Sequence, residues 1–191
     1  MNAVPIRNRR NEDSPCPHPK PLVGPPNQGS RSGVQPYLKM TRQVTHGVPA
    51  AVDEAFPALF AWLGEHSVQP SGPPFIRTLE VDELGEPLEL EVAAPVTEVM
   101  PGDEGVEADV LPAGRYLTSV HVGPYRSATE TDLGEARDSL LRFAADRGLV
   151  VSVRRPRGAM LPCCVDRFRV GPADTPDYSK WETELAYLIV G

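Results

Sequence analysis

The sequence predicts an α+β domain: two strand-helix-strand-strand units joined into one curved antiparallel sheet, with both helices on one side. Three observations predict it. Apolar residues recur at helical spacing in two stretches, β-branched and aromatic runs flank each of them, and the second half repeats the first at a nearly fixed distance along the chain.

Residues 1–36 carry eight prolines among scattered glycines, serines and basic residues. Such a stretch buries too little apolar surface to offset the entropy of ordering, so a disordered segment is expected before a domain spanning 37–191. Met40 offers an alternative start, with the upstream stretch then an over-long reading of the gene. The first unit covers 37–100. A short strand is expected from Tyr37 to His46, before Gly47 and Pro49 punctuate the chain. Val52, Phe56, Leu59, Phe60 and Leu63 then mark one face of a helix. Pro57 is tolerable there only if the helix begins near Asp53; deeper inside, it removes a backbone bond and favours a kink. Ser71-Gly72-Pro73-Pro74 breaks the chain, and strands from Phe75 to Val81 and Pro87 to Val96 form a hairpin around Asp82-Glu83-Leu84-Gly85.

A glycine- and acid-rich loop, Pro101 to Asp109, leads into the second unit, 110–191. Leu117 to Val122 alternates as a strand and stops at Gly123-Pro124-Tyr125. Ser127-Ala128-Thr129-Glu130 has the spacing of a capping box. Leu133, Ala136, Leu140, Phe143 and Ala144 give the second helix its stripe, and Gly148 supplies a left-handed exit. Strands follow near Cys163 to Val170 and Trp181 to Val190. Between the helices the repeat has an offset of 81, laying Ala58 to Leu63 on Ser139 to Ala144. Between the hairpins the offset is 93, laying Phe75 on Phe168, Glu89 on Glu182 and Glu91 on Glu184. The difference fits one insertion, Val150 to Leu161, with its Arg154-Arg155-Pro156-Arg157 cluster. Neither unit buries a second face by itself, so the strands are expected to merge into one sheet.

The totals exclude several functions. At 191 residues there is room for one ordinary domain. No apolar run approaches the roughly 20 residues of a membrane span, and charges and prolines interrupt any leader-like start, which predicts a soluble protein of the cytoplasm. Three cysteines imply no disulfide framework, the four histidines lack metal-ligand spacing, and neither metal nor cofactor is expected. Acids outnumber bases 26 to 19, for a net charge of −7, which argues against direct nucleic-acid binding. Eleven acids against one base, Arg77, lie between Phe75 and Asp109. Such a run is a solvated face or a field that attracts cations.

With the chain in order, the arrangement resembles the GyrI-like small-molecule-binding domain, also found as the effector-binding domain of AraC-type and MerR-type regulators. The matching pieces are Leu111-Pro112-Ala113-Gly114-Arg115-Tyr116, His121-Val122-Gly123-Pro124-Tyr125, Arg147-Gly148-Leu149 and Thr183-Glu184-Leu185, covering about 38–191. The chain departs from the pattern at Phe168, where relatives often have tyrosine, and at Leu188, where they often have proline. No DNA-reading helix-turn-helix is apparent before the domain, so it looks like a stand-alone member. The resemblance implies a ligand groove between the halves with a glutamate at the position of Glu184.

An ionised Glu184 in an apolar groove needs a partner, and no Arg or Lys in the repeat is an obvious one, so a lipophilic cation is the expected guest. Glu182 and Glu91 are the secondary carboxylates. Aromatic walls would add about 0.5 to 2 kcal/mol each by cation–π attraction. The candidates are Tyr125, Phe75, Phe168, Trp181, Tyr187, Tyr116 and Trp62, with ordinary core packing as the competing reading for each, most strongly for Trp62. Alternation along the last strand adds a constraint: if Glu184 faces the groove, Glu182, Ala186 and Leu188 share its side, while Trp181, Thr183, Leu185 and Tyr187 point toward the helices. His121 and Cys163-Cys164 read as structural. The expected function is binding and sequestration of hydrophobic, cationic or planar toxins. A catalytic alternative, suggested by similarity to hydrolases that open cyclopropane rings of genotoxic natural products, uses Glu184 to activate water and Tyr125 to steady charge. A third reading, suggested by a family member that acts on DNA gyrase, is a modulator whose acidic surface mimics nucleic acid.

Overall fold

The computed structural model describes residues 27–83, 86–126, 132–152 and 164–190. In chain order these form β1 (Asn27–Ser32), β2 (Gln35–Gln43), α1 (Val48–Glu65), β3 (Phe75–Val81), β4 (Pro87–Pro95), β5 (Glu107–Leu111), β6 (Gly114–Val122), α2 (Leu133–Asp146), β7 (Cys164–Val170), a short 3-10 turn (Tyr178–Lys180) and β8 (Glu182–Leu188). The strands pair antiparallel in one open, curved sheet of order β1-β6-β8-β7-β3-β4-β2-β5. Among the described residues no helix is long and apolar enough to cross a membrane.

Each half has the same local order, β2-β4-β3 and β6-β8-β7, and the halves meet where β3 pairs with β7. Their registers also correspond. Tyr37 faces Pro95 as Tyr116 faces Leu188, and Arg77 faces Glu91 as Arg167 faces Glu184. Bulges fall after Thr78 in β3 and after Phe168 in β7, the two residues that this register makes equivalent. The last strands therefore match as expected, Glu91 on Glu184, but Phe75 falls on Val165 and not on Phe168. The single offset expected for both hairpin strands fails at their first strand, because cross-strand pairing and not residue likeness fixes the alignment.

The sheet separates two cores. On one face α1 seals Leu38, Met40, Leu90, Val92 and Ile76 beneath Ala55, Leu59 and Leu63, while α2 seals Leu117, Cys164 and Leu185 beneath Ala136, Leu140 and Ala144. On the other face Tyr37, Phe75, Ala93, Tyr116, Val165 and Ala186 form a third cluster. The cluster runs strand by strand across the sheet from Tyr37 on β2 to Tyr116 on β6, on the inner face, the one turned away from the helices.

Several sequence expectations are corrected. Residues 27–32, placed in the disordered segment, pair with β6 as an edge strand, since ladder bonds need no apolar side chains. Part of the acidic loop, Glu107–Leu111, pairs with β2 at the other edge. Met40 lies buried in mid-β2, so a chain begun there would lack β1 and the first half of β2. α1 starts at Val48, with Pro49 in its first turn, and Pro57 is well inside it. Lacking an N–H, Pro57 cannot bond the Asp53 carbonyl. The expected capping box lies outside the described residues; Asp132 caps α2, its side chain accepting from the Glu135 amide at 3.1 Å. The left-handed exit at Gly148 is present, with φ 64° and Leu149 N donating to Ala144 O at 2.9 Å.

Candidate functional site

Between α1 and α2 the sheet floor over β3 and β7 is uncovered, leaving an open cleft of about 2130 Å³. Ordinary drug-sized sites hold about 300 to 1,000 Å³, so the cleft admits a large flat molecule together with water. α1 contributes Val52, Phe56 and Phe60, α2 contributes Leu133, Arg137 and Leu141, and the sheet contributes Ile76, Thr78, Phe168 and Tyr187. Tyr125 enters from the turn after β6.

The aromatic side chains form a path. Phe60 stacks on Phe56 with centroids 6.0 Å apart, Phe56 meets Phe168 edge-on at 6.0 Å, and Phe168 lies 5.6 Å from Tyr125. Tyr125 in turn lies 4.7 Å from Trp181, whose indole N–H donates to the Thr175 carbonyl at 2.9 Å. Trp181 thus backs the path and does not line the cleft. Phe60 is 41 % exposed although large and apolar, because its side of α1 faces open space and not the sheet.

The turn that carries Tyr125 is fixed from beneath. Gly123 adopts φ 132°, a region that favours glycine. His121, completely buried on β6, bonds the Pro124 carbonyl through Nε2 at 3.0 Å. A carbonyl only accepts, so Nε2 carries a proton and donates; Nδ1 is buried without a partner among the described residues. The Tyr125 hydroxyl is pushed up to about 12, by burial first and then by Asp174, with Thr183 pulling weakly the other way.

Of the residues singled out in the sequence, Tyr125, Phe168 and Tyr187 line the cleft and Trp181 adjoins it. The others are elsewhere. Phe75 is buried edge-on to Tyr37 at 5.1 Å on the inner face, and Tyr116 is buried there too, its hydroxyl donating to the Pro112 carbonyl at 2.8 Å. Trp62 packs in the α1 core, stacks on His66 and donates to Asp103 at 2.7 Å.

Glu184 does not match the expectation of an unpaired carboxylate in the groove. Leu185 and Tyr187 pack toward α2 while Ala186 and Leu188 join the inner cluster, so the strand alternates as expected, but the cleft lies on the helix side and Glu184 on the other. There it is paired with Arg169 and, at 3.4 Å, with Arg167. Glu182, two residues along, shares that side. Glu91 holds the equivalent place in the first half, 1 % exposed, with Lys39 at 2.6 Å, Arg77 at 3.3 Å and the Tyr37 hydroxyl at 3.2 Å. Burial and Glu91 push the Tyr37 hydroxyl up, against the pull of Arg77. Burial pulls the Lys39 ammonium down, but Glu91, Glu107 and Asp109 outweigh it and leave it raised. The partners came from strands that lie beside the glutamates in space, not in sequence. Tyr125 and Glu184, the expected catalytic pair, are thereby separated by the sheet.

The helix-side floor instead holds a different ion pair. Arg137 of α2 bonds Asp166 of β7, whose side chain is 3 % exposed. Around the cleft, Arg126 faces Glu86 and Arg169 bonds Glu184, so each lining arginine has a carboxylate. Among the described residues, the lining Asp53 and Asp138 have no cationic partner.

No family model and no curated protein matches this sequence. Solved structures do match: the EcmrR C-terminal domain superposes with a TM-score of 0.71 at 14% identity, covering 88% of this chain and 98% of that domain. The fold is GyrI-like. In the EcmrR–DNA complex the same likeness has a TM-score of 0.69 at 14% identity and covers 86% of this chain; the match spans 57% of that longer protein. A hydrolase from Listeria innocua shares the fold with a TM-score of 0.55 at 14% identity, over 86% of this chain and 91% of that one.

Proposed function

We propose that this GyrI-like protein binds flat, apolar small molecules, cationic ones best, in the cleft between α1 and α2, and so sequesters them. The observation that carries the reading is the aromatic path Phe60–Phe56–Phe168–Tyr125 along an open cleft. Aromatic faces accept many flat guests because stacking needs little directional bonding, and they attract cations by about 0.5 to 2 kcal/mol each. The charge balance supports the sign. Every lining arginine is already matched, whereas Asp53 and Asp138 leave a surplus of negative charge at the rim. The surplus is solvated, so it biases selection and does not lock one guest. Fluorescence anisotropy of a cationic xanthene dye, rhodamine 6G, tests the reading. Saturable one-site binding that weakens in Phe56→Ala and Phe168→Ala is expected; no binding, or binding as tight as wild type in both variants, removes it.

A further inference from the structure

Arg137 lines the cleft with chemistry that the stacking of a flat cation leaves unused. It projects from α2 with its side chain 20 % exposed, and Asp166, buried beneath it, grips it from the sheet. Asp166 stands directly across the β3–β7 ladder from Ile76, itself part of the cleft floor, so the guanidinium is held over the centre of the cleft. A guanidinium has five N–H donors in a rigid plane. Among the described residues Asp166 is its sole hydrogen-bond acceptor, and Nε is buried with no partner at all. Burial pulls its pKa down, yet Asp166 outweighs this and leaves it raised, so the group stays charged. Nε is sealed from solvent, so a guest reaches the guanidinium through the terminal N–H groups that Asp166 leaves open. The pair is neutral as a whole and does not repel a cationic guest, but its open donors seek an oxygen.

We propose that Arg137 is the specificity residue of the cleft, donating to a carbonyl or carboxylate oxygen carried by the guest, with Asp166 holding its plane in place. This rests on the small-molecule reading above and narrows it. The preferred guest is an aromatic cation bearing an acceptor oxygen away from its charged nucleus, recognised by stacking on Phe56 and Phe168 and by hydrogen bonding to Arg137.

Three dyes with one xanthylium nucleus test it: tetramethylrosamine, which has the pendant phenyl ring but no carboxyl group; tetramethylrhodamine methyl ester, with a carbonyl oxygen; and tetramethylrhodamine, with a free carboxylate. The wild-type protein is expected to bind at least one of the oxygen-bearing dyes about tenfold more tightly than the rosamine. Preference for the ester alone assigns a neutral carbonyl, and preference for the acid assigns a carboxylate. Arg137→Lys, which keeps a cation against Asp166 but loses the planar fork, should reduce the preference to near one. Arg137→Met combined with Asp166→Leu should do the same without stranding a buried charge. Equal binding of all three dyes by the wild type, or a preference that persists in both variants, overturns the role of Arg137 while the cleft reading stands. Failure of all three dyes to bind overturns both.

Discussion

Arg77 and Glu91 face each other across the β3–β4 ladder, 3.3 Å apart and both buried, and Arg167 and Glu184 repeat the relationship across β7–β8 at 3.4 Å in a wetter setting. The two glutamates therefore share a structural task, tying neighbouring strands together on the inner face, but at different energies. Lys39, Arg77 and the Tyr37 hydroxyl all converge on Glu91; in Glu91→Gln, Lys39 retains Glu107 at 3.5 Å and Arg77 retains Asp109 at 3.5 Å, both more exposed carboxylates that replace the buried charge only in part. Breaking a buried pair from one side destabilises by about 3 to 5 kcal/mol. Urea denaturation of Glu91→Gln should show a loss of that order; a loss below about 1 kcal/mol would mean the network contributes little.

Glu184 is 15 % exposed and its partner Arg169 is 45 % exposed, so solvent already screens the pair. Glu184→Gln should then cost about 1 kcal/mol of stability. Its effect on dye binding is the sharper test. Because the side chain lies on the face away from the cleft, the dissociation constant for rhodamine 6G should change less than about twofold. A tenfold loss, about 1.4 kcal/mol, would return Glu184 to the site.

The helices, the hairpins and the alternation of the last strand were legible in the sequence because each is set by local periodicity. Leu133, Ala136, Leu140 and Ala144 face the sheet, as a 3.6-residue period requires. What periodicity does not carry is which face of a two-sided sheet stays open. Glu184 and Tyr187 were placed on opposite sides by parity alone, and only the uncovered strip between α1 and α2 shows that Tyr187 is on the cleft side. Phe56 and Phe60 were visible as part of a helix stripe, but the stripe is wider than the buried core, and its outer edge is the cleft wall. Their excess breadth was the available signal. Arg137 had none, since its partner Asp166 lies 29 residues away in sequence.

Phe168 is the junction of the aromatic path, touching Phe56 on one side and Tyr125 on the other. Truncating it removes stacking surface and breaks the continuity of the wall. Phe168→Ala should weaken rhodamine 6G by up to about tenfold, in line with about 0.5 to 1.5 kcal/mol for an aromatic contact. Phe75→Ala is the control. Phe75 is fully buried on the inner face, so its loss should lower stability by about 3 to 5 kcal/mol with little change in dye affinity at temperatures where the protein stays folded. Equal weakening by the two substitutions would show that affinity tracks global stability and not the cleft.

Tyr125 supplies a pH test of the site. Its hydroxyl is raised to about 12 from an ordinary value near 10, chiefly because burial disfavours the phenolate and secondarily because Asp174 lies close. The folded state thus holds this proton more tightly than the unfolded chain does. The associated stability is complete below pH about 10 and fades as the pH rises from there through about 12. Absorbance at 295 nm should show a tyrosine step near pH 12 that is missing in Tyr125→Phe; the difference between the two proteins isolates it from Tyr37, which burial and Glu91 also push up. In Asp174→Asn the step should move down but stop above the ordinary value, since burial, the larger cause, remains. A step already near 10 in the wild type would place the Tyr125 hydroxyl in open water and remove it from the cleft wall.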